Sequence, residues 1–242
     1  MTASRGLTLH LGPGFRLGHR DSCRGYAMSH ANRAFLPAAG LDFLLPLYDP
    51  MVKLLGADRA RKKLFDQASV QPHHRVLDLG CGTGTFAVAI KGWMPTVQVI
   101  GIDPDPKALA RSRRKAERAG VSIHFDQGFA NALPYSDGSF DRVFSSLMFH
   151  HIPHDSKLAT MREVRRVLKP GGSLHLLDFE QEGPRSHNPL ARWLHSSERM
   201  QDNAREQILG WMRGAGFSEA RVVGSDQPIF GKIVYFAALN SR

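Results

Sequence analysis

The chain of 242 residues is long enough for one large domain, or a domain with an appended cover, and its 42% hydrophobic fraction supplies a sizeable core. A formal charge of +10 favours anionic partners (nucleic acid, an acidic membrane surface or a charged metabolite) without choosing among them. The two cysteines, Cys23 and Cys81, lack paired spacing, which argues against a disulfide framework or a cysteine zinc site and favours a reducing, cytoplasmic setting.

Residues 1–33 show no clean periodicity and carry five arginines against one acid, so they are expected as a mobile basic arm preceding one domain over 34–242. Gly, Pro, His and Arg interrupt any apolar core of a signal peptide there. "FLPAAGLDFLLPLY" contains Asp42 and two prolines, so no membrane span is expected from it. From Leu44 to Val70 the apolar spacing is helical. After that the pattern alternates. "HRVLDLG" reads as a buried strand, "TFAVAIKGW" as a helix, and "VQVIGID" as a second strand. "DPKALARSRRKAERAG" is a helix with Asp105 as cap, Pro106 in its first turn and Gly120 at its end. "VSIHFDQ" and "FDRVFSSLM" are the third and fourth strands, "DSKLATMREVRRVL" a helix stopped by "KPGG", and "SLHLLDF" the fifth strand. "ARVVGSD" and "GKIVYFAALN" follow as two strands joined by a link too short for a parallel crossover. The prediction is an α/β, Rossmann-like, doubly wound sheet of seven strands, mostly parallel, with an antiparallel C-terminal strand.

The stretch "VLDLGCGTGT" places Gly80, Gly82 and Gly84 where the first strand ends and its helix begins. A single tight turn needs one glycine; three suit a loop that lets a ligand lie against the backbone and the helix amides. Asp103 ends the second strand nineteen residues after Gly84, where a carboxylate can accept hydrogen bonds from a ribose diol. A dinucleotide fingerprint would want glycine at position 85, and Thr85 stands there, which counts against a nicotinamide-dependent dehydrogenase.

With these residues in place the sequence resembles the class I S-adenosylmethionine-dependent methyltransferases, nearest the branch of ubiquinone and menaquinone C-methyltransferases. The resemblance runs from about Tyr48 to the C-terminus and rests on "YD", "VLDLGCGTG", "GID", "ALPYSDGSFDRVF", "FHHI" and "EVRRVLKPGGSL" in that order. It implies S-adenosyl-L-methionine as cofactor. Asp78 and the loop Gly80, Cys81, Gly82, Thr83 and Gly84 would then hold its methionine part. Asp103 would bind the ribose, Pro104 would border the adenine, and Gly128, Phe129 and Ala130 would lie along the adenine edge. Ser145 and Ser146 would sit near the methionyl group, and Tyr48 would close the site. Many relatives have Asp where Phe129 stands. Asp126 or Gln127 would have to take over the adenine amino group, or Phe129 packs on the ring while backbone groups read its edge.

Methyl transfer from a sulfonium needs positioning and exclusion of water more than acid–base help, because the leaving group departs neutral. A base matters when the acceptor must lose a proton, and His150 or His151, after the fourth strand, would suit that task. The plainer reading is that one of them packs or caps a loop. No carboxylate completes a metal set around "HHIPH", so no metal is expected. Cys81 fits tight packing better than nucleophilic chemistry. The irregular segment 180–206 would cover an acceptor pocket, with Trp193 and His195 as contacts. The expected acceptor is a small or lipid-like molecule, quinone-like or aromatic, methylated at carbon or oxygen. "KKLF", the arm and "LDFLLPLY" would suit peripheral contact with an anionic membrane. Nucleic acid is not expected: no Asn-Pro-Pro-aromatic motif follows the fourth strand, although the basic arm and helix keep an RNA methyltransferase as an alternative. A non-catalytic, cofactor-binding regulatory subunit is another.

Overall fold

The computed structural model describes residues 57–180, 205–228 and 231–241. In chain order its main elements are α1 (Ala57–Asp66), β1 (Arg75–Leu79), α2 (Thr85–Trp93), β2 (Gln98–Asp103), α3 (Pro106–Arg118), β3 (His124–Gln127), β4 (Phe140–Ser146), α4 (His154–Val167), β5 (Leu168–Phe179), α5 (Arg205–Gly214), β6 (Ser218–Asp226) and β7 (Ile233–Leu239). The strands form one sheet in the order β3-β2-β1-β4-β5-β7-β6. Pairing is parallel from β3 through β5, and β7 runs antiparallel between β5 and β6. This is the predicted sheet, including its reversed C-terminal strand.

Burial on both faces explains the continuous apolar strands. Side chains alternate across a strand, so Val76 packs with Leu64, Phe86 and Leu109 of α1–α3, while Leu77 and Leu79 pack with Met161, Val164 and Ile208 of α4 and α5. The start of α3 follows the sequence closely: the Asp105 carboxylate accepts from the Lys107 amide at 2.8 Å, and Pro106 occupies the first turn. On the other side of the sheet from α4, α1 is tied down through Lys63, which donates to Asp226 at 2.7 Å, and Asp226 also accepts from the Tyr235 hydroxyl at 2.8 Å.

Several boundaries differ from expectation; the first helix, expected to reach Val70, ends at Asp66. The third strand begins only at His124, because the Val121 amide is still bonded to the Ala116 carbonyl (3.1 Å) in the turn that closes α3. The "KPGG" segment ends α4 as expected but already belongs to β5, which starts at Leu168 paired with Phe140. Partners for its backbone come from the far end of the chain. The Asn240 side chain donates to the Leu168 carbonyl at 2.9 Å, and the Gly171 amide donates to the Asn240 carbonyl at 2.7 Å.

His175 of β5 is 5% exposed, bonded through Nε2 to the Ser173 hydroxyl at 3.0 Å and packed on Phe144. Burial, with the Arg142 and Arg221 guanidinium groups adding to it, pushes its pKa down from 6.5 to about 3. The unfolded chain therefore binds the proton first as pH falls. The stability this neutral histidine contributes is complete above pH 6.5 and declines from there towards pH 3. Between pH 6.5 and 5 this one group should cost about 1–2 kcal/mol of unfolding free energy. Urea titrations of wild type and His175→Gln at both pH values check this. Equal losses in the two proteins would show that His175 is not responsible.

Candidate active site

The strand order reverses direction between β1 and β4, so the carboxyl ends of these strands flank a crevice where open α/β sheets bind ligands. The glycine loop begins at that point. The Gly80 and Cys81 amides both donate to the Ile102 carbonyl, at 2.8 and 3.0 Å, which docks the loop on β2. Gly80 has φ +69°, and a Cβ there would lie 2.1 Å from Cγ of Met148. Packing within the protein therefore accounts for this glycine. Gly82 is different: its φ is +53°, nothing among the described residues lies within 4 Å of its missing Cβ, and its amide donates to Asp103 at 2.8 Å. It leaves one open wall for a ligand to approach the backbone.

Asp103, the residue expected at the ribose, has a structural task in this fold. Its two oxygens accept from the Gly82 and Asp105 amides, at 2.8 and 3.0 Å. Burial raises its pKa, and the same two amides oppose the rise. Asp78 is 2% exposed. It takes a hydrogen bond from the Ala87 amide at the start of α2, and its Oδ2 has no partner among the described residues. Burial pushes its pKa up to about 7, with the Arg61 charge the largest opposing influence. The Ser145 hydroxyl is likewise buried without a partner among the described residues, whereas the Ser146 hydroxyl accepts from Arg61 Nε at 3.3 Å.

Other expected contacts are placed less directly. The Thr83 hydroxyl is bonded to Lys115 of α3 at 3.1 Å, so its side chain serves the loop's own packing. The Cys81 thiol is buried and its pKa is raised by that burial, consistent with packing and not with a nucleophile. Gly128 donates to the Asp103 carbonyl at 3.2 Å, which brings the segment Gly128–Ala130 beside the end of β2. Of the candidates for the adenine amino group, Asp126 is already committed to the Tyr135 hydroxyl at 2.9 Å and to His124 at 2.8 Å. Gln127 donates its amide nitrogen to the Pro104 carbonyl at 3.1 Å, which leaves its oxygen for another partner. Tyr48, Trp193, His195, the arm 1–33 and nearly all of the cover 180–206 lie outside the described residues.

After β4, Leu147 donates to the Leu177 carbonyl, and a 3-10 turn over Phe149–His151 follows. The turn delivers the His150 ring to Asp178 near the end of β5. His150 Nδ1 lies 2.6 Å from Oδ1, and the His150 amide donates to Oδ2 at 3.0 Å. The Phe179 amide donates to Oδ1 at 2.7 Å. Burial alone would raise the Asp178 carboxyl, but His150 and these two amides outweigh it and hold it below the usual carboxylate range. A buried carboxylate at this position takes the proton-bearing Nδ1, which in a neutral imidazole leaves the lone pair on Nε2. The His151 ring lies beside His150, centroid to centroid 4.0 Å. Of the two histidines, His150 is the one the carboxylate orients.

Reading the sequence alone missed Asp178 and Arg61. An acid closing the otherwise apolar run "LHLLDF" is a signal for Asp178, since a buried carboxylate needs a partner. No local signal marks Arg61 within "DRARKK". Among the described residues no cluster of His, Cys, Asp and Glu could hold a metal ion, and no helix is long and apolar enough to cross a membrane.

A family profile described as a methyltransferase domain matches residues 76–172, which run from β1 to the glycines of β5. The chain is 40% identical over 139 residues to a demethylmenaquinone methyltransferase of Thermus thermophilus, a match covering 56% of this chain and 62% of the relative. It is 32% identical over 170 residues to a demethylmenaquinone methyltransferase of Lactiplantibacillus plantarum, covering 67% of this chain and 71% of that protein. Among solved structures, the YcgJ protein of Bacillus subtilis superposes with a TM-score of 0.63 at 21% identity, over 76% of this chain and 99% of the other, which shows the shared fold. The chain belongs to the class I S-adenosylmethionine-dependent methyltransferases, near the ubiquinone and menaquinone C-methyltransferase branch.

Proposed function

We propose that the protein methylates a carbon or oxygen of a small or lipid-like acceptor bearing an acidic hydroxyl, with His150 as general base and Asp178 as the residue that orients it. The observation carrying this reading is the 2.6 Å contact between His150 Nδ1 and the buried Asp178. The residues also suit the cofactor: Gly82 leaves open space against the loop, and the buried Asp78 and Ser145 oxygens await partners. When bound, S-adenosylmethionine supplies a methyl group on a positively charged sulfur that leaves as a neutral thioether. His150 accepts the acceptor's proton at Nε2 while Nδ1–H stays on Asp178. Removing that proton at Nε2 would leave on the acceptor the electron pair that methyl transfer requires. Asp103 would hold the ribose, and Gly128, Phe129 and Ala130 the adenine edge.

A quinone-like acceptor in its reduced, quinol state, or another aromatic phenol, is favoured by the relatives named demethylmenaquinone methyltransferases, since such a ring carries the hydroxyl that His150 would deprotonate. Incubation with methyl-labelled cofactor and fractionated cell extract tests the acceptor class. Label should enter organic solvent. Label retained on RNA would instead favour the alternative that the charge of +10 leaves available.

A further inference from the structure

None of the sequence motifs contains Arg61, yet the fold brings it to the crevice. From α1 its side chain reaches the carboxyl end of β4, where Nε donates to Ser146 at 3.3 Å, and its side chain is 12% exposed. Asp58, one turn earlier, stands 3.7 Å from its guanidinium and is 44% exposed, so solvent shares that ion pair. On the neighbouring strand β1, Asp78 faces the same side of the sheet as Val76, which is the side α1 covers. Arg61 is the largest favourable charge acting on Asp78, and one oxygen of that buried carboxyl has no partner among the described residues. A guanidinium and a partly unsatisfied acid on one face of the sheet, at the ends of adjacent strands, would complement a group carrying both a carboxylate and an ammonium.

We propose that Arg61 and Asp78 form a cradle for the amino-acid end of the bound cofactor, Arg61 holding its carboxylate and Asp78 its ammonium. This rests on the S-adenosylmethionine reading and adds a residue to it. The geometry of α1 then matters for cofactor binding, because the helix carries the guanidinium that reaches the end of β4 and acts on Asp78. A bidentate guanidinium suits a carboxylate better than a lysine ammonium, which retains the charge but not the fork.

Two nucleosides separate this role from a structural one. S-adenosylhomocysteine carries the amino-acid end; 5′-methylthioadenosine has the same nucleoside and a thioether but lacks it. Calorimetric titration of wild type, Arg61→Met and Arg61→Lys with both ligands is the test. Arg61→Met should weaken S-adenosylhomocysteine about tenfold or more and change 5′-methylthioadenosine by less than about twofold. Arg61→Lys should recover part of the loss. Retained 5′-methylthioadenosine binding also certifies that the variant is folded. Equal weakening of both ligands, or no loss for S-adenosylhomocysteine, would overturn the cradle. Failure of the wild-type chain to bind either nucleoside would overturn the cofactor reading itself, a result distinct from one confined to the variants.

Discussion

Replacing Asp178 with Asn should lower methyl transfer by about 10²–10⁴-fold while leaving S-adenosylhomocysteine affinity nearly unchanged. The carboxylate accepts from three groups, the His150 ring, the His150 amide and the Phe179 amide. An amide side chain has one acceptor oxygen in place of two and no charge. It either opposes an N–H to one of these donors or turns His150 to the wrong tautomer, with the proton already on Nε2. Asp178→Ala is the harsher change, because each buried amide left unpaired costs about 1–3 kcal/mol of stability. The Asn variant is therefore the informative one. If Asp178 acts through His150, the double variant His150→Gln/Asp178→Asn should be no slower than His150→Gln alone. Single-turnover rates with labelled cofactor would show this. Multiplying losses in the double variant would mean that the two residues act separately, and the proposed base would lose its support.

Asp103→Ala should weaken S-adenosylhomocysteine more than tenfold, from about 1.5–3 kcal/mol for each hydrogen bond to a charged group. Its effect will also reach stability, since the carboxylate braces the Gly82 and Asp105 amides, at 2.8 and 3.0 Å. Asp103→Asn should fall between, keeping one acceptor and losing the charge. Asp105→Ala serves as the comparison. It removes the cap on the Lys107 amide at a cost of about 0.5–2 kcal/mol, while the Asp105 amide that binds Asp103 survives the substitution. Melting temperatures and calorimetric affinities measured on all three variants separate the roles. Asp103→Ala should lose both stability and affinity, and Asp105→Ala chiefly stability. Wild-type affinity in Asp103→Ala would remove the ribose assignment.

Local features of the sequence were sufficient wherever the physics is local. Alternating apolar runs named the strands because a parallel sheet buries both faces. Asp105 and Pro106 marked the start of α3 because capping acts within one turn. The glycines marked the loop, although only the neighbours in space distinguish Gly80, crowded by Met148, from Gly82, which faces open space. Long-range relations were not legible. A pair of C-terminal strands with a short link must contain a reversal, but nothing in their residues says that β7 inserts beside β5 and leaves β6 at the edge. Likewise, "KPGG" reads as a break until Asn240 supplies its backbone with partners from the other end of the domain. The site divides in the same way. His150 follows a strand on the ligand side and could be named from that alone, but its choice over His151 depends on a carboxylate 28 residues away. Arg61 reaches Ser146 across 85 residues of chain, a relation that only folding the sheet under α1 creates. Sequence determined which segments would bury their apolar faces and where the backbone would turn; tertiary structure decided which buried charges meet, because an ion in the interior is tolerated only where the fold supplies its partner.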